Sequence, residues 1–435
     1  MSECKRDEPS RAAPIAERVQ EMQLANGARI FLLEDHTHPA TDLLGLFSGG
    51  LSLEAPGESG LADLTLGLLD RGTRQRSERQ LSEALESNGA ELDYRLMREA
   101  AVVHARCLSE DLSLVLEIVG ETLCAASFPE DQIRLVKEQA LVGLHEIAYD
   151  TYEQASRRAT AMLLGAEHPY AREPLGRAEV VTKLTRSDLV SYRDRALRGS
   201  RLLFALVGDF DPQVARGELE RHLGALPGEE EPCEVPPDPA IQSPTSAKGW
   251  RREHVPIADK GQVDLVFVGP GIPRTRPGFE AYGMANFLLG GSFVSRLNQS
   301  LRDEAGLTYG AHSAIVSGLA PGYWFASLSV DPADVEAAVA RVRDVLHRFV
   351  DEGVTEQELE EAKAHLTGTF PLQLETARAV AAIFLDGVRF GRGRDYIDRY
   401  RERVAALTRK QVTAAGRELI DPERIVLASA GSLVT

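Results

Sequence analysis

At 435 residues the chain exceeds one ordinary hydrophobic core, so at least two structural units are expected. Its 43% hydrophobic and 26% charged residues mark it as globular rather than disordered, and a net charge of −17 argues against nucleic acid and anionic membrane surfaces as partners. Cys4, Cys107, Cys124 and Cys233 form no C-x-x-C pair and read as reduced thiols, and no stretch reaches the ~18 apolar residues that a membrane span needs. The polar opening MSECKRDEPSRAAP has no apolar signal segment, which points to the cytoplasm if residue 1 is native. A removed signal would instead place the chain in the periplasm or on a lipid anchor at Cys4.

Residues 1–20 read as a lead-in. Asn26-Gly27 is a hairpin turn followed by a strand over 28–33, and ATDLLGLFSGG is a second strand ending at Gly49-Gly50. A helix from about Gly60 to Asp70 buries Leu61, Leu64 and Leu68. After it come a helix, an Asn88-Gly89 turn and two strands. A further helix carries Leu112, Val115, Leu116, Val119 and Leu123 on one side. Residues 128–164 read as one long helical stretch without a breaker. LTRSDLVSYRDRAL is helical, and RLLFALVGDF is a buried strand that closes the first half. Residues 226–249, rich in Pro, Glu and Ser, read as an inter-domain linker.

The second half repeats the first about 220 residues later. SEDLSLVLEIVGETL answers to PADVEAAVARVRDVLHRFV, FPEDQIRLVKEQ to VTEQELEEAKAH, and LTRSDLV…LLFALVGDF to LTRKQVT…IVLASAG. The expected class is α+β, with two homologous lobes, 21–225 and 250–435, each a mixed sheet covered by helices on one face.

One stretch carries more chemistry than the rest: Gly290–Tyr309, GGSFVSRLNQSLRDEAGLTY. The pattern predicts a helix capped by Ser292, running to about Glu304 and stopped by a left-handed Gly306. A strand should follow with Leu307, Tyr309, Ala311, Ser313 and Ile315 on one face. Arg302 in the last helical turn and Tyr309 early in the strand then converge on one rim. An Arg capping its own helix and a Tyr serving as an ordinary strand residue remain alternative readings.

This stretch resembles the carboxy-terminal-half motif of the pitrilysin/insulinase metallopeptidases, in the branch that includes the mitochondrial processing peptidase. The resemblance implies two lobes forming a half-shell, with Arg302 and Tyr309 contacting the substrate peptide beside a zinc ion. Catalytic members carry an inverted H-x-x-E-H motif in the first lobe: two histidines on one helix face hold zinc, the Glu activates its water, and a later Glu is the third ligand. Here the matching frame, GLADLTLGLLDRGT, puts Asp63 and Gly67 at the histidine positions and Leu66 at the catalytic Glu, while Glu146 matches the later ligand. Two carboxylates fall short of the three protein ligands of a catalytic zinc. No cofactor is therefore expected on this chain, and zinc is expected in a partner. The resemblance thus implies a catalytically incomplete subunit of a heterodimeric zinc endopeptidase. It would lend Arg302 and Tyr309 to a homologous zinc-motif subunit that cleaves peptides, and a homodimer when that partner is absent stays open. The alternatives are a non-catalytic scaffold or peptide-binding protein, and an autonomous homodimeric hydrolase built on Asp63 and Glu146. His36 and His38 read as turn polarity, and His145 points around its helix from Glu146.

Overall fold

The computed structural model describes residues 13–55, 57–228 and 250–433. Cys4, Cys233 and most of the expected linker lie outside the described residues, whereas Cys107 and Cys124 are free thiols. No described helix is long and apolar enough to cross a membrane.

Eleven strands among the described residues form two sheets. The first contains β1 (Gln20–Gln23), β2 (Arg29–Glu34), β3 (Ala40–Ser48), β4 (Glu91–Leu96), β5 (Ala100–Leu108) and β6 (Leu202–Gly208), in the order β1-β2-β6-β3-β5-β4. The second contains β7 (Arg251–Pro256), β8 (Val263–Pro270), β9 (Ala311–Val316), β10 (Tyr323–Val330) and β11 (Val426–Gly431), in the order β7-β11-β8-β10-β9. Each sheet has a single parallel pair, β2 with β6 and β7 with β11, and all its other pairs are antiparallel. Apart from β1 the two sheets have one topology, the structural form of the sequence repeat. Each repeat also brings its own helices to one face of its sheet. Leu112–Ala125 and Arg186–Ala196 belong to the first lobe, and Val335–Glu352 and Arg409–Leu419 to the second.

The other face of each sheet is covered as well, by a helix of the opposite lobe. Ala155, Ala159, Leu163 and Leu164 of the helix Thr151–Leu164 pack on Val266, Val268, Val426, Ala428 and Ala430 of the second sheet. In return, Val380, Ala381, Phe384 and Leu385 of the helix Ala377–Arg389 pack on Phe31, Leu33, Leu44, Ala205 and Val207 of the first. The Phe31 and Phe384 rings meet edge-on, 5.2 Å between centroids. This corrects the expectation of helices on one face only. The run IFLL within β2 and LLFALVG in β6 are continuously apolar rather than alternating, the mark of strands buried on both sides.

The exchange depends on a break in the stretch read as one long helix. It divides into Glu130–Ala148 and Thr151–Leu164 because Asp150 turns out of the helix and accepts the Glu153 N–H at 2.8 Å as an N-cap. A polar pin closes the two lobes. Glu99, in the β4–β5 turn, accepts N–H bonds from Leu319 (2.6 Å) and Ala320 (2.8 Å) in the equivalent β9–β10 turn, together with the Tyr170 hydroxyl at 2.8 Å. Arg389 donates to the Glu99 carbonyl at 2.8 Å. Gly318 has no room for a Cβ because Glu99 Oε2 occupies that space.

Candidate functional site

In the second lobe the helix Phe279–Asn286 widens into a π-turn over Phe287–Gly291 and ends. Gly290 must be glycine for close approach: a Cβ there would sit 2.5 Å from Ser313 Oγ and 2.7 Å from a Leu297 methyl. Residues 292–295 form a turn closed by the Ser295 N–H on the Ser292 carbonyl at 3.2 Å, and the next helix starts at Arg296 with Ser295, not Ser292, at its N-cap. It widens again over Gln299–Glu304. Gly306 is left-handed at φ +61°, as expected, and its N–H reaches the Arg302 carbonyl at 3.1 Å. The strand begins only at Ala311, so Tyr309 lies in the loop before β9 rather than on a strand face.

Asn298, 3% exposed, explains both shifts. Its amide donates to the Ser292 carbonyl at 3.0 Å and the Ala311 carbonyl at 2.9 Å, and accepts the Ala311 N–H at 2.9 Å. One side chain thus ties the turn at Ser292, the helix and the first strand residue together. Sequence reasoning missed it, and its only signal was its place within the motif.

Arg302 sits in the last helical turn with its side chain 22% exposed. Nε and Nη2 both point at Asp303 Oδ1, each at 2.8 Å, and the Phe293 ring lies over the guanidinium, 3.6 Å to its centroid. Nη1 is buried without a partner. Tyr309 is 92% exposed, beside Phe293 at 69% and Val294 at 72%. Arg302 and Tyr309 flank the Gly306 turn but make no hydrogen bond to each other. A cleft of about 380 Å³ adjoins them, lined by Gly290–Phe293, Gly310–His312, Ser327–Ser329 and, from the first lobe, Tyr152. β9 is a sheet edge, but Asn298 takes the N–H and C=O of Ala311 and Asn286 donates to the Ser313 carbonyl, so what this part of the site offers is exposed aromatic surface beside a partly exposed guanidinium. That set suits a peptide side chain with a carbonyl or carboxylate next to it.

In the first lobe the degenerate frame forms the short helix Leu61–Leu66, started by Gly60 at φ +93°. Glu54 caps it, accepting the Gly60 N–H at 3.1 Å and the Ala62 N–H at 2.8 Å. Asp63 is half-buried; burial, then repulsion from Glu173, pushes its carboxyl up to about 6. Leu66 is core at 3% exposed, Gly67 ends the helix, and Glu146 is exposed on Glu130–Ala148. A buried hydrocarbon, a missing side chain and two carboxylates do not fit a catalytic zinc. Among the described residues, no group of three or more His, Cys, Asp or Glu side chains is placed to hold a metal ion.

His36 is bracketed by Asp209 Oδ1 at 2.5 Å and Glu34 Oε1 at 2.6 Å, and these hydrogen bonds raise its pKa. No local sequence pattern signals the Asp209 contact, which spans 173 residues.

Two family models match the chain. Residues 30–166 match "Insulinase (Peptidase family M16)" and residues 183–366 match "Peptidase M16 inactive domain". A "Non-peptidase homolog YmxG" of Helicobacter pylori is 27% identical over 351 residues, covering 79% of this chain and 78% of that one. An uncharacterized zinc protease of Streptomyces coelicolor is 27% identical over 383 residues, covering 84% and 80%. Among solved structures, a peptidase M16 inactive domain from Pseudomonas fluorescens superposes with a TM-score of 0.87 at 26% identity, over 96% of this chain and 98% of that one. A protease from Helicobacter pylori gives a TM-score of 0.84 at 17% identity, over 95% and 99%, which speaks to the fold alone.

Proposed function

Because the chain belongs to peptidase family M16, the insulinase-like family, we propose that this catalytically inactive member completes the active site of a homologous, zinc-binding M16 subunit. The observation that carries the proposal is the contrast between the lobes. The first has lost the donor set for zinc at Asp63, Leu66 and Gly67, while the second holds Arg302 in place and presents Tyr309 at 92% exposure on an edge strand's approach. In that role the partner supplies the metal. Arg302 contributes its fixed planar donors to a peptide carbonyl or carboxylate. The Tyr309 hydroxyl donates to the carbonyl oxygen that gains negative charge when the peptide is attacked.

The test is peptide cleavage with a quenched fluorescent peptide mixture, using this chain alone and then mixed with a zinc-motif homologue from the same source. Silence alone and activity in the mixture are expected. Tyr309→Phe and Arg302→Ala should each lower kcat by about 100-fold or more, the typical loss for one transition-state donor, without changing the fold. Full activity in both variants would overturn the proposal. A peptide-binding scaffold is the second reading. It is favoured by the Asp303 contact, which already occupies two of the Arg302 donors. It predicts peptide affinity without cleavage in any mixture.

A further inference from the structure

The Thr151–Leu164 helix covers an apolar face of the second sheet, and that face turns polar where the helix begins. Two cross-strand pairs mark the change: Asp264 of β8 opposite Ser329 of β10, and Ser327 of β10 opposite His312 of β9. All four residues line the cleft of about 380 Å³ that adjoins the Arg302 motif. The same cleft borders Phe293, which covers the Arg302 guanidinium, and Gly310, the neighbour of Tyr309. Phe293 and Tyr152, 69% and 37% exposed, give it aromatic walls.

Asp264 is the only Asp, Glu, Lys or Arg side chain in this lining. It is half-buried, and its carboxylate is oriented from both lobes. Thr151 of the first lobe donates its hydroxyl to Oδ2 at 2.5 Å, and Ser329 of the second donates to Oδ1. Such donors favour the ionised carboxylate but do not neutralise it. Asp264 forms no ion pair among the described residues. The charges nearby have its own sign: after burial, Glu153, Asp264 and Asp150 push the Tyr152 phenol up, against a hydrogen bond with Ser327. A carboxylate fixed in an open cleft, with no cation of its own, attracts one from outside. Aromatic walls add a surface for an apolar stem and a face for the cation.

We propose that Asp264 sets the side-chain preference of the peptide site: the cleft takes a lysine or arginine side chain, its stem against Tyr152 and Phe293 and its cationic head on Asp264. The assignment rests on the reading that Arg302 and Tyr309 hold the adjoining peptide backbone. Asp264 determines specificity here and takes no part in the cleavage step. The net charge of −17 draws a basic peptide toward the chain, and the cleft gives its cation a defined seat.

The test uses peptides Ac-Ala-Ala-X-Ala-Ala-amide with lysine, arginine, acetyl-lysine, norleucine or glutamate at X, so that X carries any charge present. Their binding to the full chain is measured by calorimetry. The lysine or arginine peptide is expected to bind about 10-fold or more tighter than the norleucine peptide, the typical effect of one charge-assisted hydrogen bond. Asp264→Asn should bring the basic peptide down to the norleucine value. Acetyl-lysine keeps the stem and loses the charge, so its comparison with lysine on the unaltered chain decides the matter even if Asp264→Asn does not fold. Equal binding of lysine, acetyl-lysine and norleucine, no binding of either basic peptide, or a preference that survives Asp264→Asn would each overturn the assignment. Cleavage by the mixture with the zinc-motif homologue is read separately. Cleavage indifferent to charge at X overturns the subsite and leaves the complementing role standing, whereas charge-selective binding without cleavage supports the subsite and overturns that role.

Discussion

Aromatic rings left open to water forgo the burial that normally stabilises them, and Phe293 and Tyr309 stand 69% and 92% exposed around one arginine. Phe293 has a local function, since it covers the Arg302 guanidinium; Tyr309 has none among the described residues. Another residue-scale consequence concerns pH. Burial, opposed by the N–H groups of Ala62 and Gly60 and by Arg172, pushes the Glu54 carboxyl up to about 7, against about 4.3 in an unfolded chain. Between those values the fold holds a proton that the unfolded chain has released, so this group makes stability fall as pH rises from about 4.3 to 7. Thermal melts of Glu54→Gln from pH 4 to 8 should show a flatter decline than the wild type. Arg302, Tyr309 and the broken 63/66/67 frame could be located in the sequence because family spacing fixes positions. Their surroundings could not: Asp303 pairing and Phe293 stacking depend on side-chain rotamers that spacing does not encode.

At the scale of elements, the motif is held by two clamps. Asn298→Ala would strand the buried backbone of Ala311 and cost about 2–3 kcal/mol, measurable by urea unfolding. It should also lower any peptide affinity, because the loop that carries Tyr309 loses its anchor. The other clamp is Arg296, which grips both carboxylate oxygens of Glu358 at 2.7 and 2.8 Å. Burial alone would raise the Glu358 pKa, but the Arg296 and Thr355 hydrogen bonds outweigh it and hold it at about 2. A folded value below the unfolded one of about 4.3 means this stabilisation is complete above that value and disappears as pH falls toward 2. Glu358→Gln should therefore remove part of the acid-side loss of stability in melts between pH 2 and 6. Periodicity and turn residues revealed most helices and strands. The boundaries that failed, at Asp150, Ser292 and Leu307, are those where one polar side chain chose between two neighbouring caps or a strand start. Asp150 followed by Glu153 was a capping signal that a helical reading of 128–164 passed over.

For the whole molecule, the repeat was readable because both halves reuse one order of patterns, but the exchange of helices between lobes was not. Nothing local in FPLQLETARAVAAIFLDGVRF says which sheet its apolar face will meet. The exchange predicts that residues 13–228 expressed alone expose two apolar faces, the outer side of their sheet and the Thr151–Leu164 helix. That fragment should aggregate or bind a hydrophobic dye, and co-expression with residues 250–433 should restore a soluble pair. Glu99→Ala should weaken the docked lobes, since it leaves the Leu319 and Ala320 N–H groups and the Tyr170 hydroxyl without their acceptor. Hydrogen exchange would detect this first in the β4–β5 and β9–β10 turns. The same exchange also sets a timetable for biosynthesis. Phe31 waits for Phe384, which leaves the ribosome 353 residues later, or roughly 20–70 s at ~5–20 residues per second. During that interval the nascent first half presents an uncovered sheet to the cell, so a chaperone that shields it until the chain is released is the expected companion of synthesis.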